Sequence, residues 1–122
     1  METNELSQEK KAELKSLIEL VEKIPEHART GACWSFLLIV HPEKYADNVP
    51  WKKLNSHEMC LLLREHPEFA DQCDWKNWRA KDWSQLLRKQ PQFADKCDWE
   101  KMDSYNWSQL LREQPQFADK CP

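Results

Sequence analysis

Apolar side chains recur at helical spacing along the chain, in short runs that each end at a proline. In one such run Trp83, Leu86 and Leu87 lie at positions i, i+3 and i+4, which puts them on one face of a helix. This helix is expected to end before Pro91, because the residue preceding a proline disfavours the α-helical backbone conformation. Pro91 itself suits the first turn of a second helix, whose apolar face includes Phe93. The pattern therefore predicts pairs of short helices, the first of each pair about eight or nine residues long.

A third, single helical turn is expected after each pair. Asp98 has the side chain of a helix N-cap, and Trp99 and Met102 supply the apolar positions of the turn that follows it. Ser104 is the expected cap of the next long helix, because its hydroxyl can accept a hydrogen bond from a free backbone N–H. Each unit of the pattern therefore contains three helical segments.

The whole pattern repeats at an interval of about 24 residues. Residues 83–97 and 107–121 are identical at 14 of 15 positions. The same frame continues upstream through two more divergent sets, which are Met59, Leu62, Leu63, Pro67 and Phe69, and Trp34, Leu37, Leu38, Pro42 and Tyr45. An atypical copy at the start of the chain contains Leu17, Leu20, Val21 and Pro25. We predict one continuous domain, with an atypical first unit at residues 1–31 and four repeats at residues 32–56, 57–80, 81–104 and 105–122.

Helices this short are stable only when they pack against other helices. Isolated helices below about 12 residues are marginal in water, so they persist only where adjacent units bury each other's apolar faces. The predicted fold is an all-α, short helical-repeat solenoid with an N-terminal capping helix. The apolar stripe of that cap comprises Leu6, Leu14, Leu17, Ile18, Val21 and Ile24. The last unit has no equivalent cap, and we expect Leu110 and Phe117 to contribute to an apolar patch there.

Composition supports a helical protein and argues against several classes. The chain has one glycine and seven tryptophans, and a sheet protein with tight hairpins would need more glycine for its turns. The net charge of −3 gives no general attraction to nucleic acid or to anionic membranes. No apolar run approaches the roughly 20 residues needed to span a bilayer, and the N-terminus is too polar for a signal peptide. We expect a cytoplasmic protein without a membrane segment.

Five cysteines invite a metal or disulfide interpretation. Cys73, Cys97 and Cys121 occupy one position of the repeat, and stacked helices hold equivalent residues about 10 Å apart. That separation is too long for a disulfide or for a shared tetrahedral zinc ion. We therefore expect buried, unpaired thiols, and no metal or cofactor site.

The histidines do not suggest catalysis. His41 and His66 precede prolines, and the equivalent residues in the later units are Gln90 and Gln114. A position that accepts histidine or glutamine is a poor candidate for proton transfer. The chain also lacks glycine-rich phosphate loops and nucleophile motifs, so no catalytic residue is predicted.

The tryptophans are expected to pack in the core. Six of the seven fall at two positions of the repeat, and Met59 and leucine stand at the first of these positions in other units. Methionine and leucine conserve volume but have no flat ring, which favours packing over a stacking platform for bases or sugars. Trp78 replaces Leu54 and Met102, and we expect it to be partly exposed.

Two polar rows stand out. Arg64, Arg88 and Arg112 form the Arg row, which occupies one position of the repeat. A second position is occupied by the Asp row, which comprises Asp71, Asp95 and Asp119. Stacked units would turn these positions into parallel stripes. The two interpretations are an inter-repeat ladder of ion pairs and a striped ligand surface, and the first is favoured.

The run from Trp83 to Trp99 also resembles a known kind of repeat. The pattern Trp-Ser-x-Leu-Leu-Arg-x-Gln-Pro-Gln-Phe-Ala-Asp-Lys-Cys-Asp-Trp is similar to that of large, uncharacterised bacterial proteins that carry such units in tandem. The resemblance covers roughly residues 32–122. It implies a helical array and a bacterial source, and it carries no catalytic residue over.

The sequence predicts a non-enzymatic protein–protein interaction module. The alternative is a nucleic-acid-binding repeat that uses the Arg row and exposed tryptophan, and the negative net charge argues against it. The expected partner is an unidentified protein or a second copy that docks on the uncapped last unit. The candidate interaction surface comprises Arg64, Arg88, Arg112, Asp71, Asp95, Asp119, Trp78, Leu110 and Phe117.

Overall fold

The computed structural model describes residues 7–121, and every regular element in that range is a helix. Helices account for 80% of these residues and no strand occurs among them, which confirms the all-α prediction. The α-helices are α1 (Gln8–Glu22), α2 (Gly31–Val40), α3 (Pro42–Tyr45), α4 (Ser56–Glu65), α5 (Ala80–Lys89) and α6 (Ser104–Glu113). The 3-10 helices are Glu26–Ala28, Ala46–Asn48, Trp51–Lys53, Pro67–Gln72, Trp75–Asn77, Pro91–Lys96, Trp99–Lys101 and Pro115–Lys120.

The three predicted segments are present at residues 32–56, 57–80 and 81–104, and the first two are present at residues 105–122. The long helices α2, α4, α5 and α6 have ten residues each, slightly more than the spacing predicted. Each long helix ends two residues before a proline. In α5 the residue between the helix and the proline is Gln90, whose backbone leaves the helical region at φ −128° and ψ 71°. The second segment begins at the proline itself, and it is a 3-10 helix in the last three units. The predicted third turn is present at Trp99–Lys101, and the Asp98 carboxylate caps it by accepting a hydrogen bond from the backbone N–H of Glu100.

Side chains just outside the long helices cap their first turns. Asn55 accepts a hydrogen bond from the Glu58 backbone N–H at 2.8 Å, and the Glu58 carboxylate accepts one from the Asn55 backbone N–H. The prediction that Ser104 caps α6 is wrong, because Ser104 is already the first residue of the helix. The cap is Asp103, whose carboxylate accepts from the Asn106 backbone N–H at 2.9 Å and whose pKa is lowered mainly by that hydrogen bond.

The core lies between successive long helices. Helix α2 packs against α4, α4 against α5, and α5 against α6, and their buried side chains form one core. Each long helix contributes a tryptophan or methionine and at least one leucine to it. The buried apolar side chains are Trp34, Leu37, Leu38, Tyr45, Val49, Leu54, Met59, Cys60, Leu62, Leu63, Trp78, Trp83, Leu86, Leu87, Met102, Trp107, Leu110 and Phe117.

The two ends of this core differ from expectation. The prediction of an exposed patch at Leu110 and Phe117 is wrong, because these side chains are 0% and 8% exposed. Phe117 packs in the core, where its ring lies 5.4 Å from that of Trp99 in the preceding unit. At the other end, Leu17 of the predicted apolar stripe is 47% exposed, and Leu20, which was matched to a leucine position of the repeat, is 61% exposed. Leu6 of the same predicted stripe lies outside the described residues.

Candidate functional site

The Arg row and the Asp row do not form a ladder of ion pairs. Arg64 and Arg88 are partly buried and Arg112 is exposed, while all three members of the Asp row are exposed. Within residues 7–121 the ion pairs are Lys44–Glu22, His66–Glu68, Arg79–Asp82 and Lys89–Glu65. None of them joins the two rows, so the favoured interpretation of these residues is wrong. The aspartates lie on the separate 3-10 helices Pro67–Gln72, Pro91–Lys96 and Pro115–Lys120.

The main chain of the Arg row, and not its guanidinium groups, connects the units. The Gln90 amide donates to the Arg64 carbonyl at 2.9 Å, and the Gln114 amide donates to the Arg88 carbonyl at 2.9 Å. In the preceding unit the His66 Nε2 atom lies 2.9 Å from the Ile39 carbonyl, which is the equivalent acceptor. A glutamine amide and an imidazole both supply one N–H donor at this point. This shared donor explains why the repeat accepts either residue here.

We predict that Gln90→Ala lowers the free energy of unfolding by about 1 kcal/mol, because it leaves the partly buried Arg64 carbonyl without its donor. Gln90→His is the matched control, since His66 makes the equivalent contact. Urea denaturation of the three proteins checks this, and the histidine variant should retain most of the lost stability. Equal losses in both variants would contradict the assigned hydrogen bond.

A second set of hydrogen bonds also joins successive units, and sequence reasoning did not predict it. The Ser35 hydroxyl donates to the Glu58 carbonyl at 3.3 Å, and the Ser84 hydroxyl donates to the Asn106 carbonyl at 3.4 Å. The Cys60 thiol occupies the same position of the repeat, with its sulfur 3.3 Å from the Asp82 carbonyl. The sequence does contain a signal for these bonds, because a serine or cysteine directly follows each tryptophan or methionine that the long helices place in the core.

The cysteines are free and differ in exposure. Cys60 is buried, Cys33, Cys73 and Cys97 are partly buried, and Cys121 is exposed, so the expectation of a buried thiol is wrong for Cys121. Burial raises the pKa of Cys60, Cys73 and Cys97 from the ordinary value of 9.0 to about 12. Thiols held in the protonated form are poor nucleophiles and poor metal ligands. Residues 7–121 contain no group of three histidine, cysteine or acidic side chains placed to hold a metal ion.

These pKa values predict a loss of stability in alkali. The unfolded thiols ionise from a pKa near 9.0, whereas the folded ones stay protonated until the pH approaches about 12. Ionisation of the unfolded state alone lowers the free energy of unfolding across that range, and the contribution is intact below pH 9. Denaturation curves from pH 7 to pH 11 test this, with Cys60→Ala as the comparison. The slope above pH 9 should be shallower in that variant, and an unchanged slope would contradict the assignment to Cys60.

Tryptophan packing is confirmed, with one correction. Trp75 stacks on Trp83 at 5.2 Å and 15°, and Trp99 stacks on Trp107 at 5.3 Å and 14°. The expectation that Trp78 is partly exposed is wrong, because it is 1% exposed. Its ring lies 4.8 Å from both Trp75 and Trp83, so a third indole fills the space that Leu54 and Met102 fill in the neighbouring units. The cluster excludes Trp78 as a platform for a base or sugar ring.

Arg29 fixes the end of α1 against the rest of the molecule. Its guanidinium lies 4.9 Å from the centre of the Trp34 ring, and it donates to the carbonyls of Ile24 and Glu22 at 3.0 and 3.3 Å. The Glu22 carboxylate in turn accepts hydrogen bonds from the Tyr45 hydroxyl and, at 3.0 Å, from Lys44. These two donors lower the pKa of Glu22. These polar contacts and the packing of Val21 on the core hold the end of α1 in place.

The outer face of α1, which we define by Leu17 and Leu20, is the clearest candidate interaction site. None of the side chains on α1 is buried, although Val21 packs against the core. The large apolar side chains that are exposed within residues 7–121 are Leu17, Leu20 and Tyr105. Two of the three are thus one helical turn apart on this face. On the opposite side of α1 a groove of about 400 Å3 is lined by Lys11, Leu14, Lys15, Ile18, Glu19, Glu22 and His41.

No family model, curated protein or solved structure matches this chain. The interpretation of the α1 outer face therefore depends on its own residues. No helix within the described part of the chain has the length and apolar character needed to cross a bilayer.

Proposed function

We propose that the protein is a non-enzymatic helical-repeat solenoid that binds a protein partner through the outer face of α1. One observation carries the proposal, namely that Leu17 and Leu20 remain exposed one turn apart on a helix that the core does not bury. Covering an exposed leucine side chain contributes up to about 1.5–3 kcal/mol, so a partner that covers both gains specific affinity. Exposed Lys10, Glu13 and Lys23 give this face a polar rim, as protein interfaces have.

The solenoid part of the proposal is supported by the contacts between units. Each long helix packs on the next, and the same hydrogen-bond donors recur at the spacing of the repeat, as in Gln90 and Gln114. In such an array every unit contacts its neighbours in one dimension, and the terminal faces are the natural sites for a further element or a partner. The bacterial source and cytoplasmic location expected from the sequence belong to this proposal.

The alternative of nucleic-acid binding has less support. It needs an exposed basic stripe and exposed aromatic rings. Arg64 and Arg88 are partly buried, Trp78 is buried, and the net charge is −3. A protein partner is therefore the better-supported reading.

A pull-down with the immobilised protein tests the proposal. Wild type, Leu17→Glu/Leu20→Glu and the control Tyr105→Glu are compared in an extract of the source organism, with and without nuclease. All three should show the same helix content, because the substituted side chains are exposed. We expect a partner that wild type and the control retain and that the double variant loses by about tenfold or more.

Equal retention by the double variant would contradict the α1 outer face as the site. Retention of nucleic acid that nuclease abolishes would favour the alternative function instead. Sedimentation across a concentration series identifies a second copy as the partner if wild type dimerises and the double variant does not.

A further inference from the structure

One unit of the array lacks an aromatic ring that the later units have. Trp75 and Trp99 each stack on a tryptophan of the following long helix, at 5.2 and 5.3 Å. Trp51 occupies the equivalent position, but Met59 replaces the tryptophan that would stack on it. Among the described residues the aromatic neighbour of Trp51 is Phe69, with ring centres 5.6 Å apart.

The same unit also lacks a lysine. In the last full unit the Lys101 ammonium donates to the carbonyls of Trp78 and Lys76 at 3.0 and 3.1 Å, across the seam between units. Lys53 makes a similar bond to the Arg29 carbonyl at 3.1 Å. The residue between them in the series is Asn77, and within residues 7–121 it makes no side-chain hydrogen bond to the corresponding carbonyls of Lys52 and Leu54.

Both departures from the repeat face one cleft. This Trp51 cleft has a volume of about 380 Å3, within the range of about 300–1,000 Å3 that small-molecule sites occupy. Its walls combine indole and thioether surface with amide, hydroxyl and carboxylate groups. Lys52 and Asp74 place one charge of each sign at its edge. The lining residues are Trp51, Lys52, Leu54, Asn55, Ser56, Met59, Gln72, Asp74, Asn77 and Trp78.

The equivalent groove one unit earlier provides an internal comparison. It is lined by Trp34, with Glu26 at the position of Trp51 and Lys53 at the position of Asn77. That groove therefore has no indole at the position of Trp51, and its lysine is present and bonded to the Arg29 carbonyl. The combination of an unstacked tryptophan with carbonyls that lack a lysine donor belongs to the Trp51 cleft.

We propose that the Trp51 cleft binds an aromatic ring that carries an amine, with the ring stacked on Trp51 and the amine donating to the carbonyls of Lys52 and Leu54. The two groups that the repeat places at this point in other units are an indole and an ammonium, so a ligand that supplies both restores the contacts seen there. Stacking on an indole favours a planar ring, and a cation gains further from the aromatic face and the nearby Asp74 carboxylate. This site is separate from the α1 outer face and does not depend on a protein partner there.

Titration with tryptamine, followed through the indole N–H resonances of the tryptophans, tests the proposal. We expect one saturable site with a dissociation constant of about 1 mM, in which the Trp51 resonance shifts. Indole, which lacks the amine, and butylamine, which lacks the ring, should each bind at least about tenfold more weakly. Failure of tryptamine to saturate, or equal binding of indole alone, would overturn the proposal.

Two matched variants locate the site. Met59→Trp/Asn77→Lys copies the residues of the other units into the cleft and should weaken tryptamine binding by about tenfold or more, with the helical spectrum unchanged. Trp83→Met/Lys101→Asn makes the reverse exchange one unit later and should add a second site at Trp75. Unchanged affinity in the filled variant would refute the site even if the second variant failed to fold.

The source of the ring is decided by a peptide comparison. A tripeptide with an N-terminal tryptophan and its acetylated form are titrated beside tryptamine. Tighter binding of the free peptide than of tryptamine assigns the site to the N-terminus of a protein, and the opposite order assigns it to a free aromatic amine. Equal binding of the acetylated and free peptides would contradict the role of the amine.

Discussion

Leu87→Ala is expected to lower the free energy of unfolding by about 2–5 kcal/mol, which is the usual cost of truncating a fully buried leucine. Leu87 is 0% exposed and lies on α5, which packs against both α4 and α6. The cavity therefore forms in the middle of the array, where the surrounding helices can collapse into it only in part. Because the long helices pack on one another in series, the loss should appear as one cooperative transition.

Leu111→Ala is the matched control for this change. Leu111 occupies the same position of the repeat in α6 but is only partly buried. Its truncation should cost clearly less, since fewer contacts are lost. Urea denaturation followed by tryptophan fluorescence measures both values. A change below about 0.5 kcal/mol for Leu87→Ala would show that this leucine does not lie in the core.

Gly31→Ala is expected to lower the free energy of unfolding by about 1–3 kcal/mol, the range for overpacking a tight site. A Cβ atom at Gly31 would collide with the Lys53 backbone carbonyl and with the Glu58 carboxylate. The carbonyl belongs to the main chain, and the carboxylate is held by the Asn55 backbone N–H, so neither can move freely. Gly31 does not have a positive φ, so the cost is steric and not a matter of backbone strain.

Ser104→Ala is the control for the glycine. Ser104 begins α6 as Gly31 begins α2, and it is exposed. A change there should stay within about 0.5 kcal/mol. Thermal and urea unfolding of both variants give the comparison. An increase in stability for Gly31→Ala, as helix propensity alone would predict, would mean that the seam between α2 and α4 relaxes without cost.

The repeat made the helices predictable but not the contacts between them. The spacing of Trp83, Leu86 and Leu87 and the proline that follows depend on residues close in sequence, and the structure confirms the helix there. The contacts between units were harder to predict, because the same residues allow several partners. The Arg row was expected to bond through its guanidinium groups, yet its carbonyls accept the bonds from Gln90 and Gln114. Every residue has a backbone carbonyl, so the sequence does not show which carbonyl accepts a hydrogen bond.

The candidate sites likewise depend on contacts between helices that the sequence does not reveal. Leu17 reads as part of an apolar stripe, and only the placement of α1 shows that the core leaves it exposed. Arg29 and Glu22 hold the helix in that placement through contacts that no local pattern indicates. Met59 reads as a conservative replacement of tryptophan, and only the structure shows the cleft that it leaves beside Trp51.

The sequence by itself determined the helical class, the length of the unit, the position of each proline break and the set of apolar residues that form most of the core. These properties follow from periodicity and from the backbone limits of proline, which act over a few residues. Only the tertiary structure decided that Phe117 is covered, that Trp78 is enclosed by Trp75 and Trp83, and that Leu17 faces outward. Exposure depends on the summed packing of segments about 24 residues apart, so a side chain of given chemistry becomes core or surface according to its neighbouring unit.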